Sequence, residues 1–124
     1  MESLEPFTPR RLGEKAWGNE WLVAELPFGI MKRLEMNAGY GGDLQHHEVK
    51  WESFHLHSGK VNVRYVEDGH LIQVEMTPGQ TFQVPPGATH QVTAVEDSIL
   101  YELSNPVYGD RVSDADRYKV TASS

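Results

Sequence analysis

With 124 residues, no cysteine and a formal net charge of −7, the chain has room for one modest core and excludes a disulfide framework, a Cys-ligated zinc and a thiol nucleophile. The 18 acidic residues against 11 basic ones argue against nucleic acid and anionic membrane surfaces as partners, since both need a basic footprint. MESLEPFTPRR lacks the apolar core of a signal peptide and no stretch has transmembrane length, so the expected address is cytoplasmic.

In chain order, residues 1–14 carry two prolines and mixed charge and read as an N-terminal arm or edge segment, with the folded domain over 15–119 and a frayed tail at 120–124. From Lys15 onward short runs rich in Val, Ile, Leu, Tyr and Phe predict strands: EWLVAEL, GIMKRLEM, WESFHLHS, KVNVRYVE, HLIQVEM, TFQV, HQVTAV and SILYELS. The punctuation agrees. Asp68-Gly69 suits a type I′ hairpin turn, Pro78-Gly79 a type II turn, and Pro85-Pro86-Gly87 forces a further bend. YGDRVSDADRY is expected to form a short turn or helix. Many short strands in one domain predict an all-β sandwich or barrel.

Alternation then assigns faces. Over residues 51–57, Glu52 shares a face with Phe54 and Leu56, while Ser53, His55 and His57 share the other. After Pro86-Gly87, His90 lies with Val92 and Ala94. An acid and an imidazole are thus drawn inward with the apolar residues. Burying either alone is costly, and a metal cation removes both penalties. The segment GDLQHHEVKWE offers further ligands. Gln45 and His47 fall on one side of an extended chain, His46 and Glu48 on the other, and register decides which pair joins Glu52 and His90.

These residues form two blocks that resemble the cupin motifs: a Gly-rich loop, Gln45-x-His47, Glu52 and Gly59, then Gly79, Pro85-x-Gly87 and His90. A narrower resemblance is to the cupin domain of type II mannose-6-phosphate isomerases, through Trp17-Gly18, Lys32-Arg33-Leu34, Leu44-Gln45-His46-His47 with Glu52, and Asp116-Arg117-Tyr118. It implies a small jelly-roll barrel (a double-stranded β-helix) holding one divalent transition metal on Gln45, His47, Glu52 and His90. Two imidazoles, a carboxylate and an amide suit Zn, Mn, Fe, Ni or Co. It further implies aldose–ketose isomerisation of a sugar or sugar phosphate, with Lys50, His46 and Glu48 for proton transfer or substrate contact. Lys32, Arg33, Lys50, Arg64 and Arg111 are the cations available for a phosphate or carboxylate. The chain departs from the family at Val49, Lys50, Ser53-Phe54 and Ser113. Those departures keep open a non-catalytic saccharide-binding module, and a metal-dependent dioxygenase is the third reading. A homodimer joined through strand edges is the expected assembly.

Overall fold

A computed structural model of the chain describes residues 4–114. Among them are eleven strands and no helix: β1 Arg10–Lys15, β2 Gly18–Leu26, β3 Gly29–Met36, β4 Gln45–His47, β5 Glu52–Ser58, β6 Val61–Glu67, β7 His70–Met76, β8 Thr81–Val84, β9 His90–Ala94, β10 Ser98–Ser104 and β11 Arg111–Ser113. They build a six-stranded sheet in the order β1-β2-β3-β10-β5-β8 and a five-stranded sheet in the order β11-β4-β9-β6-β7. The all-β jelly-roll expectation therefore holds. No helix of the described residues is long and apolar enough to cross a membrane.

The local causes are those the sequence advertises. Asp68 (φ 51°) and Gly69 (φ 76°) both take positive φ, as a type I′ turn demands, and Val66, Glu67, His70 and Leu71 pair directly across it. Gly79 takes φ 94° after Pro78, as the third position of a type II turn requires. One face of each sheet turns inward. Leu56, Val61, Val63 and Leu100 are fully buried, with Phe54, Met76 and Val84 closing around them.

Two elements differ from expectation. β1 begins at Arg10, inside the segment read as an arm or edge; RRLGEK lies at the sheet margin almost entirely exposed, so no alternation betrays it. Arg111–Ser113 is a strand, where YGDRVSDADRY suggested a turn or helix. It exists because β4 offers it a partner, Val112 opposite His46, and such a distant pairing leaves no local signal. The tail at 120–124 and the Asp116-Arg117-Tyr118 motif lie outside the described residues.

The Gly-rich loop is what delivers β4. Gly41 bridges Thr93, and the Gly39 and Gly42 N–H groups donate to Ala94 O (2.8 Å) and Val92 O (3.2 Å). A Cβ on Gly41 would collide with the Val92 carbonyl and the Thr93 backbone. Only glycine lets the loop lie this close to β9, and that contact sets Gln45 directly opposite His90.

Candidate metal centre

Four side chains from three strands converge at one end of the barrel. Glu52 opens β5, His90 opens β9, and Gln45 and His47 bracket β4. Glu52 and His90 are 5% and 2% exposed. Glu52 Oε1 lies 3.3 Å from His47 Nε2 and 3.3 Å from His90 Nε2. Two donors each about 2.1 Å from one cation stand roughly 3.0–3.4 Å apart, so this spacing is that of shared ligands. The register also decides between the two pairs on β4. Gln45 and His47 line the cavity with Glu52 and His90, whereas His46 turns to the opposite side and is held by Asp114 (Nδ1 to Oδ2, 2.8 Å).

Both inward imidazoles are oriented by their other nitrogen. His47 Nδ1 donates to Asp110 Oδ1 at 2.8 Å, and His90 Nδ1 donates to the Ala88 carbonyl at 3.0 Å. Asp110 also accepts the Val49 and Lys50 N–H groups, each at 2.9 Å. Desolvation works against the Asp110 carboxylate, but the Val49 N–H, His47 and the Lys50 N–H together hold it well below the usual carboxylate range. It therefore stays an acceptor and fixes the His47 tautomer.

With each Nδ1 committed, each Nε2 faces Glu52 Oε1 without hydrogen-bond alignment. Gln45 Oε1, Glu52 Oε1 and His90 Nε2 are all buried without a hydrogen-bond partner. Burial opposes the Glu52 charge, and His90, His47 and Lys50 outweigh it, holding that carboxyl below its ordinary value. Lone pairs crowded together in a dry site are costly, and a cation among them relieves every one. No three His, Cys, Asp or Glu side chains among the described residues form a ready-made cation cage, so the donor set converges without being closed. In number and chemistry it nevertheless fits one borderline divalent metal.

The donors face a cavity of about 690 Å³, whose wall carries Trp17, Glu20, Lys32, Lys50, Glu102 and Arg111. Lys50 Nζ bridges Glu52 Oε2 (3.8 Å) and Glu102 Oε1 (3.9 Å). Lys32 Nζ pairs with Glu20 at 2.9 Å. Burial works against the Lys32 charge, yet the Glu20 hydrogen bond and nearby Glu102 raise its pKa above the ordinary value. Burial, and then the negative charge of Glu52, push Glu102 up to about 7 despite Lys50 and Lys32. Between the usual carboxyl pKa of about 4.5 and this value, the folded state holds a proton that the unfolded state has released. Stability therefore falls as pH rises through that window. Glu102→Gln is expected to match wild type near pH 4 and to exceed it by up to about 3 kcal/mol near pH 8, in urea unfolding with chelator present. Parallel pH profiles for the two proteins would contradict this assignment.

Sequence reasoning missed Asp110 and Glu102. Glu102 was within reach of the argument used for Glu52, because it alternates with the buried Ser98, Leu100 and Ser104. Asp110 was not, since its role depends on a loop meeting β4 across 63 residues. Neither His46 nor Glu48 lines the cavity, so of the three residues expected to move protons only Lys50 is brought there. Among the cations, Lys32 and Arg111 line it as well. Arg33 lies on the outer face over the Trp21 ring at 5.2 Å, and Arg64 donates to Gln73 at 2.9 Å. His55 is exposed and bonded to Thr81 Oγ1 at 2.9 Å, on the side of β5 away from Glu52. Trp17 alone of the tryptophans lines the cavity.

Residues 32–103 match the family described as cupin domain. By structure, the chain is similar to KdgF from Halomonas sp. (TM-score 0.70, 22% identity, covering 81% of this chain and 88% of that one). It is also similar to an RmlC-like cupin from Shewanella frigidimarina (TM-score 0.70, 18% identity, 88% and 96%). A third likeness is to oxalate decarboxylase from Bacillus subtilis (TM-score 0.70, 18% identity), covering 91% of this chain but 35% of that one, about a third of its length. At these identities the likeness is one of fold. Compared by sequence with curated proteins, the chain matches none.

Proposed function

The chain belongs to the cupin domain family, and on that premise we propose that it is a metal-dependent aldose–ketose isomerase acting on a sugar or sugar phosphate, of the type II mannose-6-phosphate isomerase kind. The observation that carries this reading is the set of partnerless buried donors, Gln45 Oε1, Glu52 Oε1 and His90 Nε2, opening onto a cavity that holds proton-transfer groups. With His47 they would hold one divalent transition metal (Zn, Mn, Fe, Ni or Co), which supplies Lewis-acid polarisation of carbonyl and hydroxyl oxygens. Everything else falls to the chain's own groups. At about 690 Å³, the cavity matches a small polar ligand rather than a polymer. Lys50 and Glu102 sit side by side on its wall, where one accepts a proton from a substrate carbon and the other returns one to the adjacent carbon. Lys32 and Arg111 offer cations for an anionic substituent, and Trp17 gives an apolar surface for a ring face.

Protein loaded separately with each metal and incubated with mannose 6-phosphate in heavy water tests this. The expected result is conversion to the ketose with solvent deuterium entering the adjacent carbons. Lys50→Ala is expected to lower kcat by about 10²–10⁴-fold with metal content unchanged. Saccharide binding without deuterium uptake would reject the isomerase and leave the binding module. One observation favours that second reading: Ser113, at the position where the resembling family has arginine, is bonded to Asp43 at 2.6 Å and presents no charge. Oxygen uptake by iron-loaded protein would instead identify the dioxygenase.

A further inference from the structure

Three of the four cations that line the cavity already face a carboxylate. Lys50 sits between Glu52 Oε2 (3.8 Å) and Glu102 Oε1 (3.9 Å). On the wall that β2 and β3 form as direct neighbours, half-buried Lys32 holds half-buried Glu20 at 2.9 Å. On the edge strand β11, Arg111 meets Asp43 at 3.3 Å, and the same Asp43 oxygen accepts the Ser113 hydroxyl at 2.6 Å. Lys15, the fourth cation, is exposed at the end of the edge strand β1, where water and salt screen its charge.

We infer that the site takes a neutral, unphosphorylated sugar in preference to its phosphate ester. The inference rests on the site proposed above and chooses between the two substrate classes named there. A phosphate monoester carries about −1.5 to −2 charges near neutral pH. At Lys32 it would come up against Glu20, and at Arg111 against Asp43, which the Ser113 hydroxyl holds in place. Each attraction to a cation is then offset by repulsion from the carboxylate beside it. The chain as a whole, at −7, adds no field that draws an anion in. A metal on the donors brings its charge beside Glu52, where it serves the oxygens of the reacting carbons and not a remote substituent. Hydroxyl groups meet none of these objections. Each is a donor and an acceptor, so it can give its proton to Glu20 or Asp43 and accept from Lys32 or Arg111 while the ion pairs stay formed. An alternation of carboxylates and cations along one wall therefore suits a row of hydroxyls.

Unreactive alditols test the preference apart from turnover. On manganese-loaded protein, calorimetry is expected to give mannitol a dissociation constant at least about tenfold below that of mannitol 1-phosphate. Turnover is expected in the same order, with kcat/KM for mannose above that for mannose 6-phosphate. Glu20→Gln removes one carboxylate charge and keeps its shape. It is expected to tighten mannitol 1-phosphate about tenfold and to change mannitol by less than about twofold, with the circular dichroism of a folded barrel. Tighter binding of the phosphate by wild type would overturn the inference, whether or not isomerisation is seen. A Glu20→Gln protein with no gain for the phosphate, or a wild type that binds neither alditol, would overturn it equally. Preference for mannitol without conversion of mannose would uphold it and reject the isomerase.

Discussion

Glu52→Ala and His90→Ala are each expected to leave purification with less than about a tenth of the wild-type metal, while His55→Ala retains it in full. The contrast follows from β5 itself. Glu52 faces the barrel interior and His55 faces outward, bonded to Thr81. Removing Glu52 takes away the one oxygen that both imidazoles approach at 3.3 Å. Removing His90 takes away a ring whose Nε2 has no other partner. A second readout guards against mere misfolding. A metal bound only by the folded state raises the melting temperature, so chelator should lower wild-type melting and leave the Glu52→Ala value unchanged. Equal metal in all three variants, measured by elemental analysis, would remove the metal centre from this part of the barrel.

Asp110 carries the second large effect, although it is not itself among the proposed ligands and acts through His47. Its carboxylate accepts from His47 Nδ1, Val49 N and Lys50 N, so it orients the His47 ring, a proposed ligand, and secures the chain that leads into Glu52. Asp110→Ala is expected to weaken metal binding about 10–100-fold and to cost about 2–3 kcal/mol of stability. Asp110→Asn separates the two roles. An amide can still accept the backbone N–H groups, but its own NH₂ turned to His47 favours the tautomer with the proton on Nε2, where a lone pair is needed. That variant should therefore lose metal with a smaller loss of stability. The pH dependence has a definite sign. The folded-state pKa of Asp110 lies below its ordinary value, so its stabilisation is present above about pH 4 and is lost as pH falls through the folded value. Asp110→Ala should flatten the acid limb of a stability–pH profile measured by urea unfolding. An unchanged metal affinity in both variants would show that His47 needs no such support.

The strands were legible because their causes are local. GIMKRLEM, HLIQVEM, TFQV and SILYELS coincide with β3, β7, β8 and β10 to the residue, each bounded by a turn whose glycine or proline announces it. Inward Glu52 and His90 were legible for the same reason, since a period of two ties a polar residue to the apolar ones beside it. β1, β4 and β11 were not legible as strands. They are short or exposed: β4 and β11 are held by partners remote in the chain, and β1, although it pairs with its neighbour β2, is almost entirely exposed.

The choice between Gln45/His47 and His46/Glu48 shows where local information ends. Both pairs obey the same alternation, and a shift of one residue in the register of β4 would exchange them. What settles the register is the close passage of Gly41 over β9 and the pairing of β4 with β11, contacts between segments about 50 and 65 residues apart. The sequence by itself thus determined the strand pattern, the turns and the two inward polar groups, because backbone geometry acts within a few residues. The tertiary structure alone decided which donors meet and that Asp110 and Glu102 join them, because those depend on the distance between strands that the chain order does not make neighbours.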